Sequence, residues 1–94
     1  MILERVELTA KEGSEDAFAD ALTQRGIALL TAGAGCRAVR IARGVENPGK
    51  FILLVEWDTV AAHTAFVGSP EHSAFRQLIA PHAAGGTMEH FDLG

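Results

Sequence analysis

The chain has 94 residues, 48% of them hydrophobic and 21% charged, the composition of one globular domain and not of a disordered segment. Eight basic against twelve acidic side chains leave a net charge of −4, which disfavours nucleic acid or an anionic membrane surface as partner. Cys36 is the only cysteine, which excludes an internal disulfide and a cysteine-built metal site.

In chain order, Met1-Ile-Leu-Glu-Arg5 lacks the basic and apolar segments of a signal peptide, so a cytoplasmic location is expected. Ile2 to Thr9 alternates, with Ile2, Val6 and Leu8 on one side and Leu3, Arg5 and Glu7 on the other, and predicts a strand. Ser14 is the expected N-cap of a helix reaching about Ala32, with Phe18, Leu22, Gly26 and Leu29 as its apolar stripe. Gly26 weakens that helix by about 1 kcal/mol relative to Ala, which points to a close approach to a sheet. Gly33 and Gly35 end it.

Cys36 to Arg43 alternates again, with Cys36, Ala38, Arg40 and Ala42 opposing Arg37, Val39, Ile41 and Arg43. Asn47-Pro48-Gly49 is a turn. Lys50 to Trp57 is apolar on both faces, with Phe51, Leu53, Val55 and Trp57 against Ile52 and Leu54, and so predicts a central strand covered on both sides. The longest apolar run, Phe51 to Val55, is far short of the roughly 20 residues that span a bilayer. Asp58 or Thr59 caps a short helix ending near Gly68. Ser69-Pro70 starts another, with Phe75, Leu78 and Ile79 as its stripe and Pro81 as its stop. Gly85-Gly86 is expected to turn the chain into a last strand, Thr87 to Leu93.

The order β-α-β-β-α-β predicts an α+β, ferredoxin-like domain over residues 1–94 with a four-stranded antiparallel sheet. Two helices cover one face only. The doubly apolar third strand therefore calls for a second copy of the sheet, a face-to-face homodimer.

Phe51-Ile-Leu-Leu-Val-Glu-Trp57, Ala62-His63, Phe66, Ser69-Pro70, Phe75 and Pro81 resemble the antibiotic biosynthesis monooxygenase (ABM) family, as do Phe18, Leu22 and Gly35-Cys36. The most distinctive part is the run Trp57-x5-His63-x2-Phe66-x2-Ser69. The resemblance covers nearly the whole chain and implies a dimeric α+β barrel with a pocket between sheet and helices in each protomer. Activities in that family vary. Some members oxidise aromatic polyketides or quinols with molecular oxygen and neither metal nor flavin, and others degrade haem. The haem-degrading pattern needs an Asn on the first strand, absent here, and Phe66 and Arg76 stand where its Trp and His are expected.

Four histidines, His63, His72, His82 and His90, lie in the C-terminal half without the spacing of a metal motif, and no nucleotide fingerprint is present. No metal, haem, flavin or other cofactor is therefore expected. His63 shares a helix face with Val60, Phe66 and Val67 and reads either as a general base or as a buried, hydrogen-bonded histidine. His72 reads as a pocket residue or as a surface residue of a first helical turn. Trp57 could stack on a ligand and offer its indole N–H, or fill the core. Arg40 is either an edge charge or a cation aimed at an anionic intermediate. Cys36 reads as a small buried hydrophobe.

Taken with the resemblance, these residues suggest a cofactor-independent monooxygenase acting on a small phenol, quinol or anthrone. His63 is its catalytic base, Trp57, His72 and Arg40 are its donors, and Phe66, Phe75, Leu53 and Met88 are apolar walls. The alternatives are a dimeric module that binds a small apolar ligand without catalysis, and an isomerase or lyase on the same scaffold.

Overall fold

A computed structural model describes all 94 residues. Strands β1 (Ile2–Ala10), β2 (Cys36–Arg43), β3 (Lys50–Trp57) and β4 (Ala83–Asp92) form one antiparallel sheet in the order β2-β3-β1-β4. One long helical rod joins β1 to β2. It consists of α1 (Glu15–Ala21), a π turn (Leu22–Gly26) and α2 (Ile27–Thr31). Helices α3 (Val60–Val67) and α4 (Pro70–Ile79) join β3 to β4. The observed order is the ferredoxin-like one expected from the sequence. No helix is long and apolar enough to cross a membrane.

All helices pack on one face of the sheet. On β3, Phe51, Leu53, Val55 and Trp57 point into that layer and are at most 1% exposed. Their β1 partners in register are Leu8, Val6, Glu4 and Ile2, and a buried carboxylate therefore enters the core row. On the other face, Leu3, Ile52 and Leu54 are half-buried and Phe91 is exposed. No helix of the chain lies over this apolar band.

Several details depart from the sequence expectations, each for a local reason. Leu30, not Leu29, completes the buried stripe after Phe18, Leu22 and Gly26. Four-residue spacing overshoots a straight α-helix by about 40° per step, because each residue turns about 100°. The wider π turn takes up that drift and holds the four positions in line. Gly26 faces α4 rather than the sheet, since a β-carbon there would lie 3.2 Å from Phe75 Cε2. Ser14 stands at the helix start but makes no side-chain capping bond.

A bulge between Cys36 and Ala38 turns Cys36 onto the helix face, while Ala38, Arg40 and Ala42 stay on the other. The last strand begins at Ala83, and Gly85 and Gly86 lie within it. Gly86 is needed there because a β-carbon would sit 2.6 Å from Leu8 Cδ2 and 2.8 Å from the Glu7 carbonyl oxygen.

Candidate functional site

The turn from β3 into α3 sets the position of His63. The Arg37 guanidinium, extruded by the β2 bulge, grips Asp58 with two bonds of 2.6 and 2.7 Å and holds its carboxyl below the ordinary carboxylate range. The Asp58 N–H donates to the Gly35 carbonyl at 2.9 Å. Thr59 then caps α3, its Oγ1 accepting from the Ala62 N–H at 3.1 Å. With its first turn pinned, α3 buries two side chains against the sheet, His63 and Phe66. Ser69 caps α4 in the same way by accepting from the His72 N–H at 3.1 Å, and Pro70 occupies the first turn.

Between α2, α3, α4 and the sheet lies a cavity of about 300 Å³, ten of whose fourteen lining residues are hydrophobic. Leu53, Phe66, Phe75 and Met88 all contribute to its wall, as do His63 and His72. Met88 is 49% exposed and Arg76 is exposed, and together they mark the mouth. The volume falls at the small end of the roughly 300–1,000 Å³ typical of ligand sites.

Glu4, 8% exposed, is the one carboxylate in the cavity wall. Its Oε1 accepts from the Trp57 indole N–H at 2.9 Å and lies 3.3 Å from His63 Nε2. Both contacts use the same oxygen, which leaves Oε2 without a protein partner. Trp57 also stacks on His63, ring centroids 5.2 Å apart and planes inclined by 24°. The other nitrogen of His63, Nδ1, lies 2.7 Å from His90 Nε2.

Burial is the largest influence on His63 and pushes it below the ordinary imidazole pKa. Glu4 pulls it upward, and His90 and His72 add to the fall. His72 is lowered as well, first by burial and then by Arg76. Both rings are therefore neutral at pH 7. His72 meets Phe66 edge-on at 5.6 Å.

Two residues expected to touch a ligand, Trp57 and Arg40, lie outside the cavity lining. Trp57 is fully buried behind the cavity wall, and its N–H is committed to Glu4, so it supports the site rather than facing a ligand. Arg40 pairs in register with Leu54 on the far face of the sheet and does not line the cavity. It is an exposed residue of an edge strand. His82 lies elsewhere, stacked on Phe18.

Glu4 and His90 escape a reading based on motif spacing because they sit on two separate strands. Period-two alternation does carry them. Glu4 interrupts the Ile2, Val6, Leu8 row, and His90 follows Met88 at the next position of the same face. No group of three His, Cys, Asp or Glu side chains converges as a metal cage, since the two nitrogens of His63 face different partners.

The sequence model of the antibiotic biosynthesis monooxygenases matches residues 1–78. The Bacillus subtilis protein YczJ is 33% identical over 93 residues, which is 97% of this chain and 97% of that protein. A solved structure from Bordetella bronchiseptica, named for the antibiotic biosynthesis monooxygenases, superposes with a TM-score of 0.89 at 26% identity, covering 99% of this chain and 96% of that one. One from Nitrosomonas europaea with the same designation has a TM-score of 0.84 at 18% identity, covers 98% and 97%, and shares the fold. With a family match over most of its length and a relative aligned end to end, the chain belongs to the antibiotic biosynthesis monooxygenase family.

Proposed function

We propose that this protein is a cofactor-independent monooxygenase that oxidises a small electron-rich aromatic, a phenol, quinol or anthrone, with molecular oxygen. The carrying observation is the buried Glu4–His63 pair in the wall of an otherwise apolar cavity. A carboxylate held against a neutral imidazole is an acid–base unit, and proton removal is the step such a substrate needs first.

His63 and Glu4 act as one base, and Glu4 Oε2 is the acceptor atom without a protein partner. Deprotonation raises the electron density of the ring enough for the substrate itself to reduce oxygen. Recombination gives a peroxide, which collapses to the quinone. The sum balances: a ring CH2, or a phenol C–H with its O–H, plus O2 gives a carbonyl and water, with all four electrons from the substrate. His72, neutral and on the cavity wall, is placed to donate to the developing oxyanion. Leu53, Phe66, Phe75 and Met88 exclude water. The protein acts as a homodimer, its second copy covering the apolar face of the sheet.

Oxygen uptake with a panel of phenols, quinols and anthrones tests this. His63→Ala should lower the rate by roughly 10²–10⁴-fold. The variant should remain folded, because Ala is a good helix former. Retained ligand binding with no oxygen uptake from any of them would instead identify a binding module.

A further inference from the structure

The run of polar contacts does not stop at the cavity wall. Glu4 and His63 line the cavity, and His90 does not. His90 is half-buried on β4, an edge strand of the sheet, directly across from Glu4 in register. Its ring meets His63 edge-on, with centroids 5.0 Å apart. Three titratable groups thus stand in file from the cavity toward the open edge of the molecule.

Their polarity is constrained. Across the 2.7 Å contact between His63 Nδ1 and His90 Nε2, one nitrogen donates and the other accepts. Glu4 decides which. An ionised Glu4, 3.3 Å away, favours the proton on His63 Nε2, so His63 Nδ1 carries a lone pair and accepts from His90. A protonated Glu4 reverses both links: Oε1–H donates to Nε2, and Nδ1–H donates to His90. One arrangement converts into the other when one proton moves along each link and one enters His90 Nδ1 from water, with neither ring displaced.

We propose that Glu4, His63 and His90 form a proton relay between the cavity and solvent, with His90 as its solvent-side terminus. In the outward direction, starting from the arrangement with Glu4 Oε1–H, a proton from the cavity binds Oε2 as Oε1–H passes to His63 Nε2. His63 Nδ1–H passes to His90 Nε2, and His90 Nδ1–H leaves to water. One proton enters, one leaves and no electrons move. The proposed oxygenase reading supplies only the source of that proton. His90 acts on the cavity through His63, as a positioning residue.

The charged and titratable groups around His63 are Glu4 from β1, His90 from β4 and His72 from α4 with Arg76 beside it, while β3 presents the neutral Trp57 indole. Burial keeps His63 uncharged at neutral pH, which leaves one of its nitrogens free to accept.

Imidazole 15N shifts of the protein, followed across the acidic range, test the relay without any substrate. The His63 and His90 signals should respond to pH together, and His63 should change its protonated nitrogen along the way. In His90→Gln, which can hydrogen-bond but not relay, the His63 titration should become a single step at a new midpoint. Independent titration of the two rings in the wild type overturns the proposal, as does an unchanged His63 curve in the variant. With any aromatic that is turned over, His90→Gln should lower kcat by roughly 10–100-fold at unchanged KM, and imidazole added to His90→Ala should restore part of the rate. Unchanged kcat would end the relay while leaving the oxygenase reading intact. Shared titration without turnover of any substrate would do the reverse.

Discussion

Glu4 shows how one residue shapes this site. An ionised carboxylate in a core row costs several kcal/mol unless it is paired, and here it accepts from the Trp57 N–H and lies 3.3 Å from His63 Nε2. His63 adds a pH dependence whose sign follows from its environment. Burial lowers its folded pKa below the ordinary 6.5, so between the two values the unfolded chain binds more protons than the native one. Stability from this group is complete above about pH 6.5 and declines as pH falls toward the folded pKa. His72 contributes in the same direction. The urea midpoint should therefore drop on acidification from pH 7 to pH 5.5, and less steeply in His63→Gln than in the wild type.

Among the elements, the link between α2 and β2 is closely packed. A β-carbon at Gly33 would stand 2.7 Å from Trp57 Cη2 and 2.8 Å from Phe66 Cδ1, two rings that are themselves packed 5.3 Å apart. Gly33→Ala should destabilise by about 1–3 kcal/mol through overpacking, measurable by denaturant unfolding, and should disturb the Trp57–His63 stack. The sequence announces Gly33 and Gly35 only as a helix stop. That is a local property, whereas the close approach depends on residues more than twenty positions away. The same division runs through the molecule. β3 is legible to the residue because alternation and burial coincide from Lys50 to Trp57. Thr59 and Ser69 follow capping chemistry that three neighbouring residues determine. The slip from Leu29 to Leu30, the Cys36 bulge and the extension of β4 through Gly85-Gly86 each come from a contact with another element. Of the site, His63 and the apolar walls follow from helix and strand faces. Glu4 and His90 are joined to them only by strand register, which no single segment carries.

For the whole molecule, the two faces of β3 predict opposite consequences for neighbouring residues. Leu53 is 1% exposed within one chain, whereas Leu54 is half-buried on the face no helix covers. Leu53→Asp should prevent folding, because it leaves an unpaired ion in the core. Leu54→Asp should leave the protomer folded but abolish its self-association. Sedimentation of the wild type should give twice the 10.0 kDa chain mass, and of Leu54→Asp the chain mass alone. A folded wild-type monomer at micromolar concentration would remove the case for sheet-to-sheet pairing.

The chain has one tryptophan and no tyrosine, and that tryptophan lies face to face with His63. The ultraviolet emission of the whole protein therefore comes from a ring in contact with the proposed base. An imidazolium quenches an adjacent excited indole far more strongly than a neutral imidazole does. Emission should fall as His63 takes up its proton and stay level over the same range in His63→Gln, so the native protein carries its own optical readout of the charge on this site.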